Sequence, residues 1–472
     1  MNVDPAALEL PLIVELPKVP PVAEAFCRLA ALPHAIFFDS ALKHPTLGRY
    51  SYLSADPSEF FIWPTSASRA LDDLAAKLAP FRSATIPDLP PFQGGAAGLI
   101  SYDLNRQLER LPSPRVDEFG VPALAVGLYD VVLAIDHQTD RAWLISHGFP
   151  EREPSARRRR AERRLHAFRQ TLDSPASPIH TGSTLAPLDR SSLAPQFAVA
   201  KAGVTSNFSA EAYLAAIERA IEYIHAGDIF QVNLAQRLLA PAKCDSVELY
   251  LRLRERNPAT FAAYLDLGEW QICSASPERF VQLSGREVET RPIKGTRRRI
   301  PLPEANLYVG DELLQSEKDR AENVMIVDLM RNDLSRVCEP ASIQVAQLCQ
   351  LESYQFVQHL VSSVRGTLRG DCDWFELLRA SFPGGSITGA PKIRAMEIIT
   401  ELEPTARGAY CGSLFFHGFD GSADSSILIR TITASRGWWQ APVGGGIVAQ
   451  SEPRREYEET WHKAEGLLRA MC

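Results

Sequence analysis

The sequence predicts a large α+β protein, in which runs of short strands stand apart from long amphipathic helices. Three observations carry that expectation. Up to about residue 150 the chain is strand-rich, as in residues 123–136 (ALAVGLYDVVLAID), where apolar stretches are closed by polar turn residues. After a helix that begins near Ser209, further short strands follow around residues 262–267, 270–275, 280–283 and 288–293, punctuated by Gly268, Pro277 and Gly285. Two stretches late in the chain, LLQSEKDRAENVMIVDLMRNDL and SEPRREYEETWHKAEGLLRAM, then read as helices.

The 472 residues are 45% hydrophobic and 23% charged, and 50 Lys plus Arg against 57 Asp plus Glu give a net charge of −7. A chain of this composition and length buries a large core, which excludes disorder and a small disulfide scaffold. Length alone suggests about three domains. The acidic balance argues against nucleic acid as a partner, because neutralising phosphates needs a basic face. Eight cysteines without a C-x-x-C pair signal neither a zinc site nor a disulfide framework. The first residues, MNVDPAALELPLIVELPKV, lack a basic region followed by an apolar one, and no run approaches the ~18 apolar residues of a membrane span. A cytoplasmic protein is expected.

Residues 151–172 read as an exposed basic helix whose charges form a solvated face, a plainer reading of residues 157–160 than a phosphate patch. Residues 173–208, rich in Ser, Pro, Thr and Ala without periodicity, read as a linker. The chain therefore divides into a lobe at 1–172, a linker, and a segment at 209–472. The helix after Ser209 repeats Leu214, Ile217, Ile221 and Ile224 and ends at Gly227. In the strand that follows, alternation places Ile229, Gln231, Asn233, Ala235 and Arg237 on one face and Phe230, Val232 and Leu234 on the other. Polar amides thus line one side of an apolar strand.

The two late helices each carry acids three apart, Asp319 with Glu322 and Glu456 with Glu459. That spacing puts each pair on one helical face, and two such helices meeting would gather four oxygen ligands suited to Mg²⁺. Lys463 shares the Glu459 face. Spacing alone favours the plainer alternative, acids solvated and paired with neighbouring Lys and Arg. His462 has no second His or Cys at ligand spacing, so zinc is not signalled.

In FPGGSITGAPK, Gly384 and Gly389 spell G-x-x-x-x-G, but Ala390 and Pro391 stand where a phosphate-binding loop needs Lys and Ser/Thr. What remains is a turn rich in N–H groups opening a helix with Pro391 as its first residue, a place for a carboxylate. Gly444, Gly446 and Ala449 satisfy G-x-G-x-x-A, yet only about twenty residues follow, too few for a dinucleotide-binding unit. In RPIKGT, Lys294 lies at the end of a strand beside Gly295. A lone Lys is usually solvated, and from a reference pKa of about 10.4 only about one in 2,000 is neutral at pH 7. Burial or a nearby cation would favour the free amine and make it a nucleophile.

Taken together these stretches resemble the chorismate-utilising enzymes, the family of anthranilate, aminodeoxychorismate, isochorismate and salicylate synthases. The resemblance covers GDIFQVNLAQR, SASPERF, RPIKGT, SEKDRAENVMIVDLMRNDLSRV, FVQHLVSSVRG, FPGGSITGAPK, YCGS, SSILIRT and GGGIVAQSEPRREYEET in the family's order, with GRYSYL and FQGGAAGLISYDL in the first lobe. It implies one large body, two mostly antiparallel sheets packed as a sandwich with helices outside, in place of three domains. Members that add water carry a Lys where this chain has Gln231, and anthranilate synthases typically read P-I-A-G-T where it has Lys294. Both positions, and NPATFAAYL at residues 257–265, look like the aminodeoxychorismate synthase branch, with anthranilate synthase component I as the alternative. Ala235 departs from the family's usual Ser.

The resemblance also implies roles and turns the weight toward the metal reading of the acids. Glu322 and Glu459 would bind Mg²⁺ directly, with Asp319 and Glu456 holding its waters. Tyr410 and Arg430 would hold the second carboxylate of chorismate, with Thr388, Gly295, Thr296, Gly445, Gly446 and Lys463 completing the cradle. Lys294 would attack C2 of the ring while Glu278 protonates the departing 4-hydroxyl, with His359 and Gln231 beside the reacting atoms. No cysteine sits in a G-x-C-x-G elbow, so a separate glutamine amidotransferase subunit is the expected ammonia source.

Overall fold

Residues 123–136 form two strands that belong to different sheets. Leu124–Tyr129 and Val131–Asp136 are separated by Asp130, where the chain crosses from one sheet to the other. Asp130 is fully buried, and its carboxylate is held by Arg164 at 3.2 Å and Arg160 at 3.5 Å, both on the helix Pro154–Asp173. Nε of Arg157 and of Arg160 donate to the carbonyls of His147 and Phe149, each at 2.8 Å. The expected solvated face is therefore only part of this helix. One stripe of its arginines is needed inside, because a buried carboxylate and strand-end carbonyls require donors.

The computed structural model describes residues 10–44, 47–175, 185–299, 303–354 and 357–472. They build one sheet of 13 strands and another of 10, with the strands paired antiparallel. Each sheet runs across the halves of the sequence. Ile36–Asp39 pairs with Phe261–Asp266 in the larger sheet, and Gly95–Ile100 pairs with Ser413–Gly418 in the smaller. Within the segment expected as a linker, Phe197–Ala198 and Thr205–Ser206 extend the edge of the larger sheet. Its residues 176–184, like the acidic start at 1–9, lie outside the described residues.

Between the sheets Leu239, Ala263 and Leu265 of the larger meet Ala97, Leu99 and Leu414 of the smaller. The outer face of the larger sheet is covered by the helices Val22–Leu29, Pro154–Asp173, Ser246–Arg256 and Pro453–Ala470. Ala70–Leu78, Glu317–Ser335 and Trp374–Ser381 pack on the smaller. This sandwich with outer helices is the architecture expected from the sequence. Among the described residues no helix is long and apolar enough to cross a membrane.

Four local expectations change. Residues 288–293 split into Glu287–Thr290 and the start of Ile293–Arg298, because Pro292 has no N–H to continue a ladder. Lys294 is consequently the second residue of a strand and not its end. The first long helical stretch is two helices, Pro303–Gln315 and Glu317–Ser335, broken where the Ser316 hydroxyl caps the second by accepting from the Asp319 N–H at 3.3 Å. Phe230 is 71% exposed and does not share a buried face with Val232 and Leu234, since the strand proper is Gln231–Pro241 and the chain before it is still leaving the Gly227 turn. Pro391 is the N-cap, one residue ahead of the helix Lys392–Leu402.

Candidate active site

The strand Ile293–Arg298 bulges at Gly295, whose φ is +74° and where the pairing with Val357–Thr367 shifts register. A Cβ at Gly295 would lie 2.7 Å from Leu313 Cδ1 and 3.0 Å from Asp319 Cγ. Glycine here lets the first turn of the helix Glu317–Ser335 sit directly on the strand that carries Lys294.

Lys294 Nζ donates to the Ser386 carbonyl at 3.2 Å, and the Ser386 hydroxyl donates to Glu278 Oε1 at 2.7 Å. Burial raises the Glu278 carboxyl to about 7, against the opposing pull of the Ser386 bond and the Lys294 charge. It is 4% exposed. An acid with that pKa is half protonated at neutral pH and can give a proton to a leaving group.

On the partner strand His359 is buried, and its Nδ1 is 2.8 Å from the Thr296 hydroxyl. Burial, aided by the charge of Arg430, lowers this imidazole to about 4. Arg430, with φ +54°, donates from Nη1 to the Lys463 carbonyl at 2.9 Å, which ties it to the helix Pro453–Ala470. Tyr410 is buried, and desolvation pushes its phenol well up. Thr388 is fully buried, its hydroxyl donating to the Gly384 carbonyl at 3.0 Å. Both polar atoms of the Gln231 side chain and Nδ2 of Asn233 are buried without a hydrogen-bond partner. A Cβ on Gly446 would stand 2.8 Å from Gln231 Nε2. The polar amides read from the strand's alternation thus face the inside of the sandwich with unused donors and an acceptor.

The four acids and three lysines gather at the joint of the two late helices. A Cβ on Gly445 would lie within 3.8 Å of Lys463 Nζ, Glu456 Oε2 and Glu459 Oε1. Asp319 pairs with Arg297 at 3.2 Å, Glu456 with Lys318 at 3.1 Å, and Glu459 with Lys463 at 2.6 Å. Glu322 forms no ion pair or hydrogen bond among the described residues. Burial raises its carboxyl, against Lys294 and Lys318. Glu459 is pushed up by burial but held below its usual range overall by Lys463, Lys318 and Lys294. Among the described residues no three acids, histidines or cysteines approach closely enough to form a metal shell as they stand. Three lysines and Arg297 supply the positive charge there.

Two members of this constellation were not singled out by sequence reasoning. Ser386 lies in the glycine-rich turn, which was read for its N–H groups and not for a hydroxyl. Lys318 sits beside Asp319 and looks like any surface lysine until the second helix arrives.

The chorismate binding enzyme family model matches residues 36–469. The chain belongs to the chorismate-binding enzymes. Over 98% of its length it is 38% identical to aminodeoxychorismate synthase component 1 of Klebsiella aerogenes, covering 99% of that protein. It is 43% identical to anthranilate synthase component 1 of Thermus thermophilus over 82% of this chain and 79% of that one. Among solved structures it is similar to anthranilate synthase component I from Streptococcus pneumoniae, with a TM-score of 0.76 and 30% identity, covering 90% of this chain and 93% of that chain. This chorismate-binding enzyme therefore has relatives named as aminodeoxychorismate synthase and as anthranilate synthase.

Proposed function

We propose that this enzyme is an aminodeoxychorismate synthase component 1, converting chorismate and ammonia to 4-amino-4-deoxychorismate in the cytoplasm. The observation that carries the reading is Lys294, an amine held one residue away from a half-protonated buried acid. The relatives' names number them as first components, which supports a glutamine amidotransferase subunit as the source of ammonia.

The neutral Lys294 amine attacks C2 of the ring, both ring double bonds shift by one position, and the C4–O bond breaks so that the 4-hydroxyl departs as water with the proton of Glu278. Ammonia then adds at C4, the double bonds shift back as the C2–N bond breaks and the lysine leaves as the free amine, and the extra proton on the new nitrogen returns to the Glu278 carboxylate. Two easier steps replace one displacement. Arg430 and Tyr410 hold the second carboxylate by charge and hydrogen bonding. His359, neutral at its lowered pKa, orients the ring without adding charge. Gln231, an amide where water-adding relatives carry a lysine, has no base to activate water.

The acids fit Mg²⁺ as cofactor. All four are hard oxygen donors, three already have a cation each, and Glu322 is the carboxylate left for an added one. Glu322 and Glu459 would hold the ion directly, with Asp319 and Glu456 behind them. When bound it supplies positive charge that screens the ring carboxylate from these acids.

The second reading, anthranilate synthase component I, is favoured by the Thermus relative. Incubation with chorismate, Mg²⁺ and ammonium chloride separates the two. A product that keeps its enolpyruvyl group supports the first, whereas release of pyruvate with fluorescent anthranilate establishes the second. Lys294→Ala should cut product formation by orders of magnitude and abolish any trappable adduct; near-normal turnover removes the nucleophile.

A further inference from the structure

Ser386 touches both Lys294 and Glu278, and it does so with different groups. Its hydroxyl is a donor to Glu278 Oε1 at 2.7 Å, while its main-chain carbonyl accepts from Lys294 Nζ at 3.2 Å. The residue is 7% exposed and lies in the short turn Gly385–Ile387. That turn is tied down on both sides. The Thr388 hydroxyl donates to the Gly384 carbonyl at 3.0 Å, Arg407 Nη1 donates to the Ile387 carbonyl at 3.0 Å, and the Asn233 N–H donates to the Thr388 carbonyl at 2.7 Å. Glu278 is anchored as firmly, its N–H donating to the Ser276 hydroxyl at 3.2 Å and its carbonyl accepting from the Ile427 N–H at 3.0 Å.

We propose that Ser386 is a positioning residue for the amination step: by occupying Oε1 of Glu278 as a donor it leaves Oε2 to carry the transferable proton, while its carbonyl fixes the amine of Lys294 beside it. The proton moves from Oε2 to the departing hydroxyl, and the remaining carboxylate keeps the serine bond, which is stronger to a charged acceptor. The serine thus favours the state that Glu278 reaches after donating. The groups facing Glu278 are few: the Ser386 hydroxyl, the Lys294 ammonium, the N–H of Ile293 and the thiol of Cys411. This inference rests on the proposed function for its chemistry, but its structural half can be read without substrate.

The test follows the Glu278 titration by carbon-13 NMR of the glutamate-labelled full chain, assigned by difference from Glu278→Gln, with no chorismate present. In Ser386→Ala the midpoint should rise by about one pH unit, because a bond that favours the charged form is gone. With chorismate and ammonium, kcat should fall about tenfold with KM nearly unchanged, and the alkaline limb of the kcat profile should move with the NMR midpoint. Ser386→Thr, which keeps the hydroxyl, should restore both. If Ser386→Ala does not fold, Ser386→Cys, a weak donor, should shift the midpoint in the same direction. An unchanged midpoint in the Ala or Cys variant, or a Thr variant as impaired as Ala, overturns the inference. A wild type that titrates as described but makes no 4-amino-4-deoxychorismate overturns the proposed function instead.

Discussion

Thr296 and His359 are register partners on adjacent antiparallel strands, and the Thr296 hydroxyl lies 2.8 Å from His359 Nδ1. The pairing fixes the plane of a ring whose burial keeps it neutral. His147 and His417 are likewise lowered to about 4 by burial. Each binds a proton in the unfolded chain near pH 6.5 but in the folded chain only near 4, so the unfolded state holds more protons in between. Stability should therefore decline as pH falls from about 6.5 to 4. His359→Gln should make that decline shallower, by one proton's share, in thermal unfolding followed against pH. Identical slopes for variant and wild type would show that His359 ionises freely.

Glu278 has the opposite sign. Its folded pKa of about 7 stands above the usual carboxyl value of 4.5, so the folded state retains a proton that the unfolded state loses. Stability from this group is present below about 4.5 and lost as pH rises to about 7. Glu278→Gln should abolish that loss and unfold at a higher temperature than wild type at pH 8. Its turnover should fall by about 10²- to 10⁴-fold, the usual worth of a general acid. A variant that is less stable at pH 8, or that turns over normally, contradicts the assignment.

Gly446 leaves room for Gln231 and for nothing larger. A Cβ there would press to 2.8 Å on the amide nitrogen, and overpacking of this kind costs about 1–3 kcal/mol when the neighbour cannot move freely. Gly446→Ala should displace the Gln231 amide and raise the chorismate KM, with a modest drop in melting temperature. Steady-state kinetics with ammonium salts check this; an unchanged KM means that Gln231 yields without consequence.

Lys318 and an added cation compete for the same carboxylates. Its ammonium pairs with Glu456 at 3.1 Å and is felt by Glu322 and Glu459. Lys318→Ala should raise Mg²⁺ affinity, read by calorimetry and by the Mg²⁺ dependence of the melting temperature as well as by activity. Weaker Mg²⁺ binding in the variant would make Lys318 a supporter of the ion and not its rival.

Much of this site was legible because its residues lie in short contiguous motifs. Lys294, Gly295 and Thr296 share one strand, and the acids sit three apart on helices whose periodicity is plain. Ser386 and Lys318 were not legible, for the reason that their meaning lies in distant partners. Ser386 meets Lys294 across 92 residues and Glu278 across 108, and Lys318 meets Glu456 across 138. The exposure of Phe230 escaped the alternation rule because that rule holds only inside a pleated strand, and the strand begins one residue later.

By itself the sequence determined many of the helices and strands, the helix start at Ser209 and its stop at Gly227, and the faces on which acids and amides lie. These follow from backbone geometry and from neighbours within a few turns. Only the tertiary structure decided that Asp130 sends adjoining strands into different sheets and that, among the described residues, Glu322 alone of the four acids forms no ion pair. It also decided that Glu278 holds its proton to about pH 7. Those outcomes depend on desolvation and on which charges the folded chain brings together, from Lys463 four residues from Glu459 to Lys318 138 residues from Glu456.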